Sequence, residues 1–365
     1  MSDHLQAIGI NKKYETLMRP CEITGSDNFA LFQEHGRVGE PGVYGKMPVY
    51  ISKVSGFKML NPRYEDQFYK DYYENLYRAV AFGQEKPSAE YIAQQRMRGK
   101  GVLDYVSKFI KKPGRMLDLG CASGATMLSW IDAGWQCKGV DPHKPSVDTA
   151  VKDMGLDVHV GAGEDLPFED DSFDMFLCLG PHEHAYDLNK MFAETRRTLV
   201  DGGHLMIRWR SAEIFGSPLE YYNHNHYRFF TPNMWALTLR KHGFSIVATT
   251  DDKLEGWQSY EYILACKDLE PSEKAVMDMI AAGVKDDWQA EIRKVENLRE
   301  DYYERCRAFL DLAARCNGDE GKIHEAVLRG DIRWKFMTEV AEWKVRRAVM
   351  EAERYVSEYD SGRVR

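Results

Sequence analysis

The sequence predicts an α/β protein built on an open, doubly wound sheet, and three observations support this fold class. Short apolar runs alternate with helical segments between about residues 99 and 268. Strands that are separated by helices need crossover connections, which make the strands parallel and put helices on both faces of the sheet. A glycine-rich turn follows the first apolar run directly, as in sheets that bind a ligand at the carboxyl ends of their strands.

The central segment, 99–268, is therefore treated as one domain. The stretches between its strands are predicted to be helices, and one of them begins with Thr231 as its cap and Pro232 in its first turn. The predicted strands are RMLDL at 115–119, CKGVD at 137–141, VHVGA at 158–162, FDMFLCL at 173–179, GHLMIRW at 203–209, FSIVATT at 244–250 and YEYILACK at 260–267.

Residues 1–98 are predicted to form a small amino-terminal region. Glycines break the chain repeatedly before VYISKVSGFKML, which is typical of short strands and turns. From about Glu65 onward, apolar residues recur every four positions and so share one face of a helix. We expect this helix to act as a lid or a packing element beside the next domain. Its apolar face consists of Phe68, Tyr72, Leu76 and Val80.

Residues 269–365 are predicted to form a helical domain of three or four helices, because charged residues after Pro271 are mixed with apolar ones at helical spacing. The Asn317-Gly318 pair is expected to end one helix. Three roles stay open for this domain: covering the active site, holding a homo-oligomer together, or binding an acceptor. One apolar stripe is Trp288, Ile292, Val295, Tyr302, Cys306, Phe309, Ala313 and Cys316, and another is Phe336, Val340, Trp343 and Tyr355.

The composition excludes several classes of protein. A net charge of -8 and a pI near 5.8 argue against nucleic acid as the main partner, since phosphate binding needs a dense basic face. No apolar stretch approaches the roughly 20 residues needed to cross a bilayer, and the amino terminus lacks a secretory signal, so we expect a cytoplasmic protein without a membrane span. The 7 cysteines are scattered without paired spacing, which indicates reduced thiols.

A nucleotide site is predicted where GRMLDLGCASGATMLSWIDAG passes from a strand through a turn into a helix. Glycine at positions 120 and 124 lets the backbone approach a ligand closely, and the helix start supplies free amide donors. Asp141 ends the next strand, where a carboxylate can accept hydrogen bonds from both ribose hydroxyls. The fingerprint for NAD requires a third glycine, but positions 122 and 125 are alanine, and Asp118 inside the strand also favours S-adenosylmethionine.

Four successive motifs resemble those of class I S-adenosylmethionine-dependent methyltransferases: DLGCASG, GVDPHK, GEDLPFEDDSFDMFLC and EHAYDLNKMFAETRRTLVDGGHLMI. The resemblance spans about residues 110–250 and implies a Rossmann-like methyltransferase sheet. It also implies that Asp118 lies near the methionine ammonium and that the Gly120–Gly124 turn wraps the amino-acid and ribose portion of the cofactor.

The same resemblance implies the remaining cofactor contacts. Asp141 would bind the ribose diol, and the LPFEDDSFD segment after the third strand would place the adenine. Many relatives have an aspartate where this chain has Ala162, and alanine cannot accept the adenine amino proton. Glu164 or Asp165 is expected to substitute, or main-chain groups to hold the base. The expected cofactor-binding residues are Asp118, Gly120, Cys121, Ala122, Gly124, Asp141, Pro142, Gly163, Glu164, Asp165 and Leu179.

Two pairs of histidines are candidate catalytic residues. Methyl transfer from a sulfonium is an in-line displacement, and a hydroxyl acceptor needs a general base or a metal near its oxygen. His182 and His184 directly follow the fourth strand, whose carboxyl end overlooks the expected methyl position. His184 corresponds to the histidine of a Glu-His pair that is common in the family's fourth motif. His224 and His226 form the second pair.

The segment EYYNHNHYRFFTP resembles the histidine loop of sugar methyltransferases, including C-methyltransferases in which a Tyr-x-Glu-His run abstracts a proton. Asn223 and Asn225 stand here at the tyrosine and glutamate positions. The missing carbon-acid base disfavours C-methylation and favours methylation of a heteroatom, with His184 or His226 as the favoured base. Aromatic side chains suited to stacking on a sugar are Tyr72, Tyr73, Tyr221, Tyr222 and Tyr227.

Metal binding by the same histidines is an alternative. His224 and His226 alternate on an extended chain and could form a site with His182 or Glu183. Loop histidines bonded to backbone are the simpler interpretation, and no bound metal is predicted.

The amino-terminal region resembles the zinc ribbon with which many sugar methyltransferases begin. CEITG at 21–25 and SKVSGFKMLNPR at 52–63 keep the glycine and LNPR landmarks of that ribbon. The four ligand positions, however, read Cys21, Thr24, Ser52 and Ser55. One thiolate among four positions cannot hold a structural zinc, so we expect the ribbon's shape without the metal.

Together the resemblances imply an enzyme that O-methylates a sugar, or a sugar-linked group, of a surface glycan or nucleotide sugar, and so serves polysaccharide biosynthesis. N- or O-methylation of another small metabolite is a second hypothesis. A third is a non-catalytic S-adenosylmethionine-binding protein whose helical domain serves assembly.

Overall fold

The computed structural model describes residues 14–37, 44–75, 87–210, 226–251, 254, 260–328 and 345–362. Within these ranges, five strands and one helix lie in the amino-terminal part of the chain. They are β1 (Thr16–Leu17), β2 (Phe29–Arg37), β3 (Tyr44–Ser52), β4 (Lys58–Leu60), β5 (Arg63–Tyr64) and α1 (Asp66–Asn75).

Strands and helices alternate through much of the central segment, but turns rather than a helix connect β8 to β9. The order is α2 (Ala89–Val106), β6 (Arg115–Leu119), α3 (Ala125–Asp132), β7 (Gln136–Asp141), α4 (Lys144–Met154), β8 (Val158–Val160), β9 (Phe173–Cys178), a 3₁₀ turn (Pro181–Glu183), α5 (Leu188–Thr198), β10 (Leu199–Trp209), β11 (Arg228–Phe229), α6 (Pro232–Lys241), β12 (Phe244–Thr250) and β13 (Glu261–Lys267). The carboxyl-terminal part contains α7 (Glu273–Ala281), α8 (Trp288–Arg315), α9 (Glu320–Leu328) and α10 (Val345–Asp360).

A 7-stranded sheet in the order β12-β13-β10-β9-β6-β7-β8 confirms the predicted Rossmann-like fold. Strands β8, β7, β6, β9 and β10 pair in parallel, each with its neighbour in the sheet. Strand β13 differs in direction and runs antiparallel to both β10 and β12, so the sheet is mixed. Only residues 251–260 connect β12 to β13, which is too short for a helical crossover.

Successive residues of each central strand point to opposite faces of the sheet, and both faces are covered. Leu117 and Phe176 belong to a core that includes side chains of α5 and α6. Their neighbours Met116 and Met175 belong to a second core that includes side chains of α2, α3 and α4. Because side chains on both faces of the sheet are buried, the central strands consist of nearly continuous apolar residues.

A 4-stranded antiparallel sheet, in the order β11-β4-β3-β2, forms the amino-terminal region together with the β1-β5 pair. Its edge strand β11 comes from the central segment, just after the histidine loop. Arg228 pairs there with Met59 and Phe229 with Lys58. The strand that carries the chain away from His226 is thus part of the amino-terminal sheet.

The turns that begin at Cys21 and Ser52 lie together. Gly25 N donates to Cys21 O at 2.7 Å, and Gly56 N donates to Ser52 O at 2.8 Å. Cys21 Sγ lies 3.8 Å from Ser55 Oγ in the buried interior. This thiol–hydroxyl contact joins the two turns.

The predicted helix after Glu65 is present as α1, and its residues Phe68 and Tyr72 are buried as expected. The other members of that stripe, Leu76 and Val80, lie outside the described residues.

Helix α8 serves two separate cores. Val295 packs with Phe32, Ile51 and Phe229 of the amino-terminal sheet. About three turns further along the helix, Cys306 and its neighbours pack with α9 and α10. Asn317 and Gly318, with φ of 52° and 71°, end the helical run as predicted. Phe336, Val340 and Trp343 lie outside the described residues, whereas Tyr355 is fully buried.

Among the described helices, none combines the length and the apolar character needed to cross a membrane.

Candidate cofactor and active site

The turn after β6 has the backbone shape that its sequence predicts. Gly120 and Gly124 adopt φ of 68° and 73°, and Ala122 adopts φ of 49°. Gly124 is the residue that precedes α3, so the first amides of α3 open toward the turn. A Cβ added at Gly120 would lie 3.1 Å from Pro181, which brings the turn beside the segment that follows β9.

Asp141 holds this turn in place. Its Oδ2 accepts a hydrogen bond from Ala122 N at 2.8 Å, and its Oδ1 accepts one from His143 N at 2.8 Å. Gly120 N and Cys121 N both donate to Val140 O, one residue earlier. The glycine-rich turn is thus hydrogen-bonded to Asp141, the carboxylate predicted to bind the ribose. Pro142, the next residue, is exposed.

Asp118 is a buried carboxyl group in the middle of this site. Burial is the main cause that raises its pKa, Arg98 and Arg208 lower the pKa, the nearby Asp141 raises it, and the net pKa is about 7. Its Oδ2 has no hydrogen-bond partner among the described residues. A buried acceptor of this kind is costly unless a donor satisfies it, and a ligand ammonium would supply both the donor and the charge.

Helix α2 supports the turn from the other side. Gln95 Nε2 donates to Cys121 O at 3.2 Å, and Gln95 Oε1 accepts a hydrogen bond from Ser123 Oγ. Trp130 Nε1 donates to Gly99 O at 3.1 Å, which ties α3 closely to α2. The sequence did not reveal Gln95 as a supporting residue, since nothing local marks it.

The expected adenine segment follows β8. Glu164 Oε1 accepts a hydrogen bond from Asp187 N at 3.2 Å and so is engaged at the start of α5. Ala162 and Asp165 are exposed, and Gly163 packs beside Leu119. Of the two acids expected to replace the missing aspartate, Asp165 has the more accessible side chain.

Leu179 lies at the carboxyl end of β9, where the expected cofactor contacts meet the histidines. Its carbonyl accepts a hydrogen bond from Arg208 at 2.6 Å, and its side chain is buried. The Arg208 guanidinium also stacks 4.3 Å from the Tyr260 ring centre.

Glu183, His184 and His226 form a polar cluster just beyond β9. Each offers one nitrogen or oxygen atom, and these atoms all lie within 4.8 Å of one another. His226 Nε2 lies 3.4 Å from Glu183 Oε2, and the two imidazole ring centres are 5.0 Å apart. Tyr73 Oη, on α1, lies 2.9 Å from His184 Nδ1. His184 and His226 are 42 positions apart in the sequence, and the fold brings these two predicted histidines together.

Glu183 carries a negative charge in this cluster. Burial favours its neutral form, but His226, His182 and His184 outweigh burial and lower its pKa to about 2. A carboxylate in contact with imidazole rings stabilises positive charge on whichever ring takes up a proton.

His182 does not share the accessible cluster. Its side chain is 0% exposed and packs against Trp235 and Phe230, with ring centres 4.8 and 5.5 Å away. Burial lowers its pKa, which favours a neutral ring. We therefore retain His184 and His226, rather than His182, as candidate bases. His224, Asn223 and Asn225 lie outside the described residues.

A buried ion-pair network holds the segment that carries the cluster. The carboxylate of Glu22 accepts hydrogen bonds from Arg63 at 3.0 Å and from Arg228 at 2.5 Å. Arg228 also donates to the carbonyls of His182 and Ala185, and Arg63 donates to the carbonyl of Tyr186. The amino-terminal region thereby fixes the backbone on both sides of Glu183 and His184.

Tyr73 and Glu183 are the site residues whose roles the sequence did not reveal. Tyr73 was assigned only to an aromatic set, and Glu183 only to an alternative metal site. Tyr73 directly follows Tyr72, which lies on the apolar face of the helix. Because neighbouring helix residues face different directions, this position is the one sequence signal that the side chain of Tyr73 points away from that face.

Comparison with known proteins agrees with this geometry. A family model described as "Methyltransferase domain" matches residues 117–207. The chain is 33% identical over 99 residues to the uncharacterized methyltransferase YcgJ of Bacillus subtilis, covering 26% of this chain and 39% of that protein. It is 30% identical over 150 residues to norajmaline N-methyltransferase of Rauvolfia serpentina, covering 39% of this chain and 50% of that protein. The matched regions thus span half, or less, of these two relatives.

A solved structure described as a possible histamine N-methyltransferase from Thermotoga maritima superposes with a TM-score of 0.40 at 21% identity, covering 49% of this chain and 94% of that one. The family match extends from within β6 to within β10, and so includes the turn, Asp141 and the Glu183-His184 pair. Residues 117–207, within the central sheet of this chain, are thus similar to a methyltransferase domain.

Proposed function

We propose that the chain is an S-adenosylmethionine-dependent methyltransferase that methylates an oxygen of a sugar, or of a sugar-linked group, in a glycan or nucleotide sugar. Asp118 would bind the methionine ammonium, the Gly120–Gly124 turn would follow the amino-acid and ribose portion, and Asp141 would bind the ribose diol. The unsatisfied Oδ2 of Asp118 supports this arrangement, because it needs a buried donor.

The observation that carries the choice of an oxygen acceptor is the contact between Glu183, His184 and His226. A hydroxyl has a high pKa, so its proton must leave as the oxygen attacks the methyl group. An imidazole ring of the cluster takes up this proton, and the Glu183 carboxylate stabilises the resulting positive charge. The methyl carbon then leaves the sulfonium for the oxygen, which yields S-adenosylhomocysteine and the methyl ether.

A second candidate, N-methylation of a small metabolite, is favoured by the similarity to norajmaline N-methyltransferase. An amine that is neutral at the working pH attacks without losing a proton first, so it has little need of the polar cluster. Substitution of His184 or His226 should therefore slow methyl transfer to a hydroxyl but have little effect on methyl transfer to an amine.

The test combines acceptor discovery with variants. The protein is incubated with methyl-labelled S-adenosylmethionine and panels of nucleotide sugars, glycan extracts and amines, and the products are examined by mass spectrometry. For a hydroxyl acceptor, His184→Gln and His226→Gln should each lower kcat by about 10²–10⁴-fold with little change in cofactor affinity. His159→Gln, a histidine that lies outside the site at an exposed position, is the matched control. Label found on amines, with no loss in either variant, would favour the second candidate.

A further inference from the structure

We infer that Glu183, His184 and His226 form a binding site for one divalent transition-metal ion. Two imidazoles and one carboxylate are a donor set that zinc and its first-row neighbours prefer, and three protein ligands leave coordination positions open for a substrate. Within the described residues, these three are the group whose ligand atoms converge to within 4.8 Å. The sequence suggests His224 and His226 with His182 or Glu183. Among the described residues, His184 joins Glu183 and His226 instead, and His224 lies outside the described ranges.

The backbone holds the three ligands in place before any ion arrives. Glu183 and His184 are adjacent at the end of the 3₁₀ turn, where His184 N donates to Pro181 O at 2.9 Å. Tyr227 N donates to Glu183 O at 3.0 Å, so the neighbouring His226 lies beside the turn. The side chains would have to adjust to bring the ligand atoms, now within 4.8 Å of one another, to the distances of about 2.0–2.2 Å that zinc requires from nitrogen and oxygen.

Residues around the cluster resemble the outer shell of a metal site. A histidine ligand usually bonds through its other ring nitrogen to a second group that fixes the ring's orientation. Tyr73 Oη supplies such a group at 2.9 Å from His184 Nδ1. The carboxylate has a neighbour of its own, because His182 Nε2 lies 3.7 Å from Glu183 Oε1. The cluster is also partly shielded, with side-chain exposures of 14% for Glu183 and 21% for His226.

The catalytic consequence rests on the proposed function. A hydroxyl oxygen bound to the ion becomes more acidic, so its proton passes to solvent water and the oxygen then takes the methyl group from the sulfonium. With the ion bound, the imidazole rings act as ligands. Without it, one of them accepts the proton as described above. Measuring the rate of methyl transfer with and without the ion distinguishes these two roles of the imidazole rings.

Metal binding is tested on the full-length protein without any substrate. After chelator treatment, titration with Zn²⁺ should give one ion per chain, and Co²⁺ should give a visible spectrum without a near-ultraviolet thiolate charge-transfer band. Glu183→Gln, His184→Ala and His226→Ala should each weaken Zn²⁺ binding at least tenfold, whereas His159→Ala should leave it unchanged. Tyr73→Phe should weaken it by a smaller factor while preserving the stoichiometry.

Circular dichroism checks that each variant is folded. A thiolate band, or Zn²⁺ affinity equal in the wild type and in a folded Glu183→Gln/His226→Ala variant, would overturn the site. If the ion binds as described but no acceptor is methylated, the site stands and the proposed function fails. An unchanged rate of methyl transfer after removal of the ion would overturn the ion's catalytic role.

Discussion

Asp141 Oδ2 accepts a 2.8 Å hydrogen bond from the backbone amide of Ala122, in the centre of the glycine-rich turn. The carboxylate therefore shapes the turn even before a ligand is bound. Ala122 has a positive φ of 49°, a conformation that a residue with a side chain adopts only when its surroundings hold it there. The bond from Asp141 is one such restraint.

Asp141→Ala should weaken binding of S-adenosylhomocysteine strongly, because it removes both the restraint on the turn and the proposed partner of the ribose. Hydrogen bonds to a charged group contribute about 1.5–3 kcal/mol each, so we expect a loss of at least tenfold in calorimetric titrations. Asp157→Asn, at an exposed acid that precedes β8, is the control and should bind like the wild type. Equal affinities in the two variants would show that Asp141 does not act at the site.

Asp118→Asn should stabilise the free protein at pH 8 while weakening cofactor binding. The folded-state pKa is raised from 3.8 to about 7, so between these pH values the folded chain holds a proton that the unfolded chain has released. Stability of the free wild type should therefore fall as pH rises from about 4 to 7. Asparagine carries no charge, so the Asp118→Asn variant avoids the free-energy cost of a buried carboxylate at pH 8.

The measurement is thermal unfolding at pH 5 and pH 8, with and without S-adenosylhomocysteine. The variant should gain stability over the wild type mainly at pH 8, and should be stabilised less by the ligand. An identical pH dependence in the two proteins would contradict the assignment.

Glu22→Gln should destabilise the protein by about 3–5 kcal/mol, because it leaves Arg63 and Arg228 buried without their shared carboxylate. All three side chains are at most 7% exposed. Burial disfavours the charged form of Glu22, but the two arginines outweigh it and lower the pKa from 4.5 to about 2. Its contribution is thus fully present above about pH 4.5 and is lost as pH falls toward 2.

Denaturant unfolding at pH 7 and pH 3 measures this effect. The difference between wild type and variant should be smaller at the lower pH. Asp148→Asn removes an exposed carboxylate on α4 and should change stability little at either pH. A Glu22→Gln protein as stable as this control would show that the network is not a structural restraint.

Gly99→Ala should lower both the melting temperature and the affinity for the cofactor. A Cβ at this position would lie 2.1 Å from Thr126 O, so α2 and α3 would have to separate. Because α3 begins at the cofactor turn, the displacement reaches the site. Lys100→Ala, at the next and exposed position of α2, should leave cofactor affinity unchanged. Unchanged affinity in Gly99→Ala would show that close helix contact is not required.

The seven strands of the central sheet are predictable because each contains an apolar run of about the right length. The match extends to their bounds, as in Arg115–Leu119 and Phe244–Thr250, which the structure reproduces. The antiparallel direction of β13 was not predicted, since helical spacing was assumed where a short connection occurs.

Contacts between distant parts of the chain were not predictable from local patterns. The two-residue strand β11 pairs with β4 across more than a hundred residues, and Glu22 meets Arg228 only through that pairing. Glu164 was expected near the adenine, but its hydrogen bond to Asp187 N depends on where α5 begins. Tyr73 reaches His184 because α1 packs beside the segment that carries Glu183 and His184, and the sequence of α1 does not indicate this contact.

Calorimetric titration of the full-length protein with S-adenosylmethionine and S-adenosylhomocysteine tests the central claim most directly. The account predicts binding of one ligand per chain for both compounds, with affinity reduced by Asp141→Ala and retained by Asp157→Asn. Absence of binding by either compound to the folded wild-type protein would contradict the account.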